Sequence, residues 1–261
     1  FDRFAGDKYT CPWLNEFRGE LALPPVQHPL RSWWHSPLKV LGMFPEWFAP
    51  QQPDWPAQGV QLGFPLHDVP ESSVVSDDVH DFIAQDQPPL VFMATSAQRF
   101  GHDFFAAAVQ ACTRLQRCGL LLTAFAEQIP ANLPSHVRHA PFVPLSWLLP
   151  RAAAIVHNGG IGALSQAMLA GIPQLMSPLA FDQFDNTARA VRLGVGYELA
   201  ARKFSAQLAS SLAKLLSDPQ VRGCCESVRR RFAQEDALAR ACREIEHAPL
   251  SPTICQSIVT K

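Results

Sequence analysis

HNGGIGALSQAMLAGIPQLMSPLAFDQFDN, residues 157–186, is the stretch whose reading decides the fold. The apolar run at 153–156 just before it reads as a buried parallel strand. Gly159, Gly160 and Gly162 fall where that strand gives way to a small-residue helix over 162–170. A Gly-rich turn at that place lets backbone approach a ligand closely. The first turn of the helix offers unpaired N–H groups and a positive dipole end to an anion. His157 stands at the strand's carboxyl edge, where it can add a hydrogen bond or a charge; the other reading is a buried histidine satisfied at a strand end. Asp182 and Gln183 follow the next apolar segment with groups suited to hydroxyls. Anion handling followed by hydroxyl handling is the chemistry a nucleotide-sugar site needs.

The glycine spacing is not G-x-G-x-x-G, and no acidic residue ends a second strand, so a dinucleotide oxidoreductase is excluded. The order of parts is more specific than the glycines: a strand ending in His157, the turn, the helix, AGIPQLMSP at 170–178, then Asp182-Gln183 and Asn186. This order resembles the donor-binding signature of the family 1 glycosyltransferases, the UDP-glycosyltransferase-like enzymes of GT-B fold. It is most similar to the bacterial branch of rhamnolipid-type rhamnosyltransferases and sterol glucosyltransferase-like proteins. The signature covers 142–186, with weaker similarity back to about residue 38 and forward to about residue 216.

Around this stretch the chain alternates strands and helices. Strands are expected at 90–94, 120–124, 137–143, 153–156, 174–176 and 195–198. Helices are expected at 103–117, 162–170 and 183–193, then from Ser205, as cap, through 216, and again from Pro219. The rhythm implies an α/β fold: a Rossmann-like parallel sheet with helices on both faces, the C-terminal domain of a GT-B fold. Residues 1–64 lack this rhythm and are rich in Pro, Trp and Phe, with one strand expected within 39–44. The domains are therefore drawn as 1–64, the remnant of an N-terminal acceptor domain; 65–88, a linker with a short helix at 79–84; 89–245, a nucleotide-sugar donor-binding domain; and 246–261, a tail.

Composition sets limits. The 261 residues are 48% hydrophobic and 17% charged, enough to build a sizeable core. A net charge of −1 gives no electrostatic case for nucleic acid. No segment is long and apolar enough to read as a membrane span. Seven cysteines, an odd number with no C-x-x-C pair, read as reduced structural thiols of a cytoplasmic protein, with a peripheral place at the inner membrane as the variant reading. No metal site is expected, and no D-x-D motif occurs.

The resemblance implies roles at the matched positions. His157 contacts the donor phosphates, and the main-chain N–H groups of Gly159, Gly160 and Gly162 hold a diphosphate. Ala163 stands where the family often has Ser or Thr, which leaves the backbone to carry that load. Ser165 aligns with a ribose-binding Glu of plant-type members, and Gln166 adjoins it. Asp182 and Gln183 bond sugar hydroxyls; Asp182 also reads as the cap of the helix at 183, and Asn186 as support for that loop. Phe142 lies against the base, and the backbone of Val143 reads its edge. Ser96, in the turn Thr95-Ser96-Ala97 after the first strand, offers a hydroxyl near the phosphates.

The implied reaction is inverting, metal-independent transfer of a hexose from a UDP- or dTDP-sugar to a hydroxyl of a hydrophobic acceptor. The nucleotide sugar is a co-substrate; no cofactor is implied. The family's catalytic base is a His near the start of the N-terminal domain, and no residue here matches it. The chain is thus expected to bind donor but to need an N-terminal acceptor domain, in the same or another chain, for transfer. The alternative is a nucleotide-diphosphate-sugar binding module or subunit without catalysis of its own. A GT-B epimerase fits FDQFDN at 181–186 less well.

Overall fold

The computed structural model describes residues 7–29, 34–68, 75–85, 87–94, 101–232 and 236–248. They form two compact units, one of residues 1–65 and 236–261 and the other of residues 66–235.

The second unit is built on a six-stranded, all-parallel sheet. Its strands are β3 (Leu90–Met93), β4 (Gly119–Leu122), β5 (Val137–Ala140), β6 (Ala154–His157), β7 (Gln174–Met176) and β8 (Gly196–Glu198). They lie in the order β5-β4-β3-β6-β7-β8. The chain builds outward from β3 to one side, then returns to β3's other flank and builds outward again. This is a doubly wound sheet, and its order reverses between β3 and β6, where Met93 pairs with His157. Every residue of β4, β6 and β7 is buried, and all are apolar except His157 at the end of β6 and Gln174 at the start of β7; the edge strands β5 and β8 are only partly covered.

Helices cover both faces. On one face α2 (Asp77–Ile83), α4 (Leu145–Leu148) and α5 (Ile161–Ala170) pack a core of Val79, Phe82, Val91, Leu120, Trp147 and Ile155, among others. On the other, α3 (His102–Leu115) packs against α7 (Phe204–Ser217), where Phe104 and Phe204 stack with centroids 4.9 Å apart. Alternation along the strands sends Leu90, Phe92 and Leu121 toward that side, all fully buried. The remaining helices of this unit are α6 (Gln183–Arg192) and α8 (Pro219–Arg231).

The expected elements recur with ends shifted by a few residues, and three details differ. The strand expected to run to 143 stops at Ala140, because Pro144 lies just ahead and the chain must turn into α4. Ser205 is not the cap of α7: the helix begins at Phe204 with Lys203 at the cap position and no side-chain cap bond. Asp182 holds the cap position of α6 but accepts no backbone N–H there. Asp218, by contrast, caps α8 by accepting from Gln220 and Val221, with Pro219 at the first helical position.

In the first unit the strand expected within 39–44 is present as β1 (Val40–Gly42), whereas two elements were not foreseen. They are helix α1 (Cys11–Glu20) and the short strand β2 (Gly59–Gln61), which pairs parallel with β1. Phe48 and Phe64 meet edge-on at 5.2 Å, and Trp47 meets Phe64 at 5.9 Å. Helix α9 (Ala237–Glu246), which spans the boundary drawn on sequence between the donor domain and the tail, groups with this unit. Arg240 donates to the carbonyls of Gln61 and Leu62, and Lys39 Nζ lies 2.6 Å from Glu244 Oε2. That ammonium holds the Glu244 carboxyl below its ordinary range. Among the described residues no helix is long and apolar enough to cross a membrane.

Candidate functional site

The carboxyl ends of β3 and β6 flank the point where strand order reverses, and ligands of such sheets bind just beyond it. Here β6 ends at His157, 1% exposed. Its Nε2 donates to Gln174 Oε1 at 3.0 Å, and its Nδ1 accepts the Gly159 N–H at 3.0 Å. Both ring nitrogens are thus engaged inside the protein. Burial pushes the imidazole pKa down to about 4, against a smaller opposing effect of the Gln174 bond. The ring is neutral at pH 7, so it supplies no charge; what it does is fix the start of the turn.

Gly159 has φ +80°, and a Cβ there would stand 2.4 Å from Thr187 Oγ1 and 2.9 Å from the Gln183 carbonyl oxygen. Only glycine fits. Gly160 and Gly162 differ: a Cβ on either would meet nothing within 4 Å. No internal contact requires glycine there, and the space above them is open. Gly160 caps α5 without a side-chain bond, so the N–H groups of the first helical turn have no intrahelical partner. The Ala163 methyl is buried beneath that turn.

Asp182 and Gln183 lie beside the turn, bound to it through Asn186. The Asn186 side-chain amide, 7% exposed, donates to the Gly159 carbonyl at 3.1 Å and to Asp182 Oδ2 at 2.8 Å. Gln183 Oε1 accepts from the N–H groups of Leu179 and Ala180, which closes the loop after β7 and leaves the amide NH₂ of Gln183 as a donor. In the same loop Phe181 is 92% exposed with φ +56°.

The sequence-expected residues separate into groups. His157, Gly159, Gly160, Gly162, Ala163, Asp182 and Gln183 form one connected cluster. Ser165 is buried and turned back, its Oγ donating to the Gly162 carbonyl at 3.1 Å. Gln166 instead opens into a cavity of about 400 Å³ with Ser146, Pro150 and Arg229. Phe142 is 49% exposed on the loop after β5, with Val143 buried behind it in the core. That loop is not hydrogen-bonded to the Gly turn, although α4, which follows it, packs on α5. Thr95, Ser96 and Ala97 lie outside the described residues.

Three polar residues escaped the sequence reading. Asn158, Ser177 and Asp103 line a cavity of about 220 Å³ with Phe104, Leu179 and Phe204. Asn158 Nδ2 donates to the Ser177 carbonyl at 2.9 Å. Their signal was position: Asn158 and Ser177 each directly follow the last residue of a buried strand.

The doubly wound parallel sheet, with this turn at its reversal point, has the fold of the C-terminal half of GT-B glycosyltransferases. Residues 120–246 match the family model for the erythromycin biosynthesis protein CIII-like, C-terminal domain. O-mycaminosyltylonolide 6-deoxyallosyltransferase of Streptomyces fradiae is 32% identical over 238 residues, which are 89% of this chain and 55% of that protein. The chain therefore spans about half the length of this relative. Two solved structures share the fold. The glycotransferase of kitacinnamycin has a TM-score of 0.69 at 18% identity, covering 91% of this chain and 62% of that one. Glycosyltransferase VinC in complex with dTDP has a TM-score of 0.66 at 22% identity, covering 94% and 60%.

Proposed function

We propose that this chain is the donor-binding part of a glycosyltransferase. It binds a UDP- or dTDP-hexose, which is transferred with inversion and without a metal to a hydroxyl of a hydrophobic acceptor. The observation that carries this reading is the uncapped start of α5 beneath open space, at the reversal point of the sheet and beside Asp182 and Gln183.

The residues divide the work as follows. The N–H groups at Gly160, Ile161, Gly162 and Ala163, with the positive end of α5, bind the diphosphate. They stabilise the charge that builds on it as the sugar leaves, and being fixed they need no reorganisation at that moment. His157 and Gly159 shape the turn; they do not touch the phosphate. Asp182, with Oδ2 already engaged, accepts from a sugar hydroxyl through Oδ1, and Gln183 donates through its amide NH₂. Gln166, not Ser165, faces the nucleoside, and Phe142 packs on the base. The base that deprotonates the acceptor comes from an N-terminal acceptor domain.

Gly162→Ala tests this. The added methyl meets no protein atom and improves helix propensity, so the melting temperature stays level or rises. The same methyl stands in the path of the phosphate, so calorimetric affinity for UDP or dTDP falls by about tenfold or more. Unchanged affinity for both nucleotides in the variant overturns the reading.

A further inference from the structure

Asn186 joins the two halves of the site, and this follows from its bonds. One hydrogen of its buried amide goes to the Gly159 carbonyl and the other to Asp182 Oδ2. Gly159 in turn donates its N–H to His157, and His157 donates to Gln174. An unbroken run of hydrogen bonds therefore leads from β7 through the end of β6 and the Gly turn to the Asp182 carboxylate. Asp182 itself is exposed, accepts no capping N–H, and has Asn186 as the one side chain bonded to it among the described residues.

We infer that Asn186 is a positioning residue: it orients Asp182 toward the donor sugar and ties that carboxylate to the turn that holds the diphosphate. This rests on the donor-site reading above. Without Asn186, Asp182 sits on an exposed loop with its rotamers unrestrained, and a sugar hydroxyl must order it on binding. The diphosphate still meets the same backbone N–H groups. The loss therefore falls on the sugar.

The measurement is calorimetric: affinities of the chain for dTDP and dTDP-glucose, and for UDP and UDP-glucose, compared as a ratio of sugar form to bare form. In Asn186→Ala this ratio drops about tenfold, while affinity for the bare nucleotide moves by less than about threefold. Asp182→Ala gives the same drop, and the double variant is no worse than either single one, because both remove the same contact. As Asp182 is exposed, its variant tests the idea even if Asn186→Ala misfolds.

Asn186→Asp supplies a signature that a purely structural role lacks. Two carboxyl groups at this distance share a proton, and one titrates far above the ordinary range. The neighbouring charged groups are the Asp185–Arg189 pair, 2.6 Å apart on α6, and His157, neutral above about pH 4; the first turn of α5 carries no acidic residue. In this variant the ratio recovers as pH falls from 8 to 5, when the shared proton restores the bond to Asp182. Equal losses for sugar and bare forms in Asn186→Ala, with no pH dependence in Asn186→Asp, overturn the inference. A wild-type chain that binds bare nucleotide, but whose ratio is untouched by Asp182→Ala, overturns it while leaving the donor site intact. A wild-type chain that binds none of the four ligands overturns the donor-site reading itself.

Discussion

At His157 the strand-end histidine and the ligand-contacting histidine proved to be separable ideas. Sequence located the residue, but the direction of each ring nitrogen depends on Gln174 and Gly159, 17 and 2 residues away. The buried neutral ring has a consequence for stability. Its pKa is about 4 when folded and about 6.5 when unfolded. Between those values the unfolded chain binds a proton that the folded chain does not. The stabilisation is therefore full above about pH 6.5 and is lost as pH falls toward 4, by at most about 3 kcal/mol. Urea titrations at pH 7.5 and 4.5 should show a loss of stability that shrinks in His157→Gln. Gly159→Ala should cost about 2 kcal/mol or more at neutral pH, from the left-handed backbone and the approach to Thr187. Gly162→Ala should not, so the same chemical change three positions along separates a packing glycine from one that faces open space.

At the scale of elements, what was legible was what was buried on both faces. Strands β3, β4, β6 and β7 are apolar but for His157 and Gln174, because helices cover both sides of them. Helix α5 was legible through the Gly-rich turn before it and Gly171, in the left-handed conformation, after it. Helix α1 and strand β2 were not. Most of α1 is exposed, with Cys11 its one buried residue, so it shows no apolar period; β2 is three residues long with no fully buried position. Caps misled for a related reason: an Asp or Ser near a helix start predicts a bond that another partner can take, as Asn186 does from Asp182. The pairing of α3 with α7 was also invisible, since their stacked rings are 100 residues apart in sequence. Phe204→Ala should cost about 3 kcal/mol in chemical denaturation, because it removes the stacked ring and leaves a void between these helices. It also widens the cavity at Asn158 and Ser177, so nucleotide affinity should be measured in the same variant.

For the molecule as a whole, the parallel sheet and the place of the turn at a strand's carboxyl end were readable, because alternating strands and helices imply right-handed crossovers; the order of the strands was not. The division into units was less so. The donor domain drawn on sequence ran to 245, whereas the bonds of α9 run to Lys39, Gln61 and Leu62. On the proposed function, the 261-residue chain should bind nucleotide yet give no transfer to a hydrophobic alcohol, as followed by chromatography of the acceptor. Addition of an N-terminal acceptor domain from a related transferase should bring transfer with it. If the chain transfers sugar unaided, the base lies within it and the assignment of that role elsewhere is wrong.

The return of α9 to β1 and β2 has a bearing on any hybrid enzyme. Exchanging the sheet unit with that of a relative requires two junctions, one near 65 and one near 235, not a single splice. A graft that carries everything after residue 66 brings a foreign helix to the place of α9. Whether it is accepted turns on a guanidinium reaching two carbonyls and an acid meeting Lys39. Donor preference and the seat of that helix can be inherited from different parents only if the last segment stays with the first.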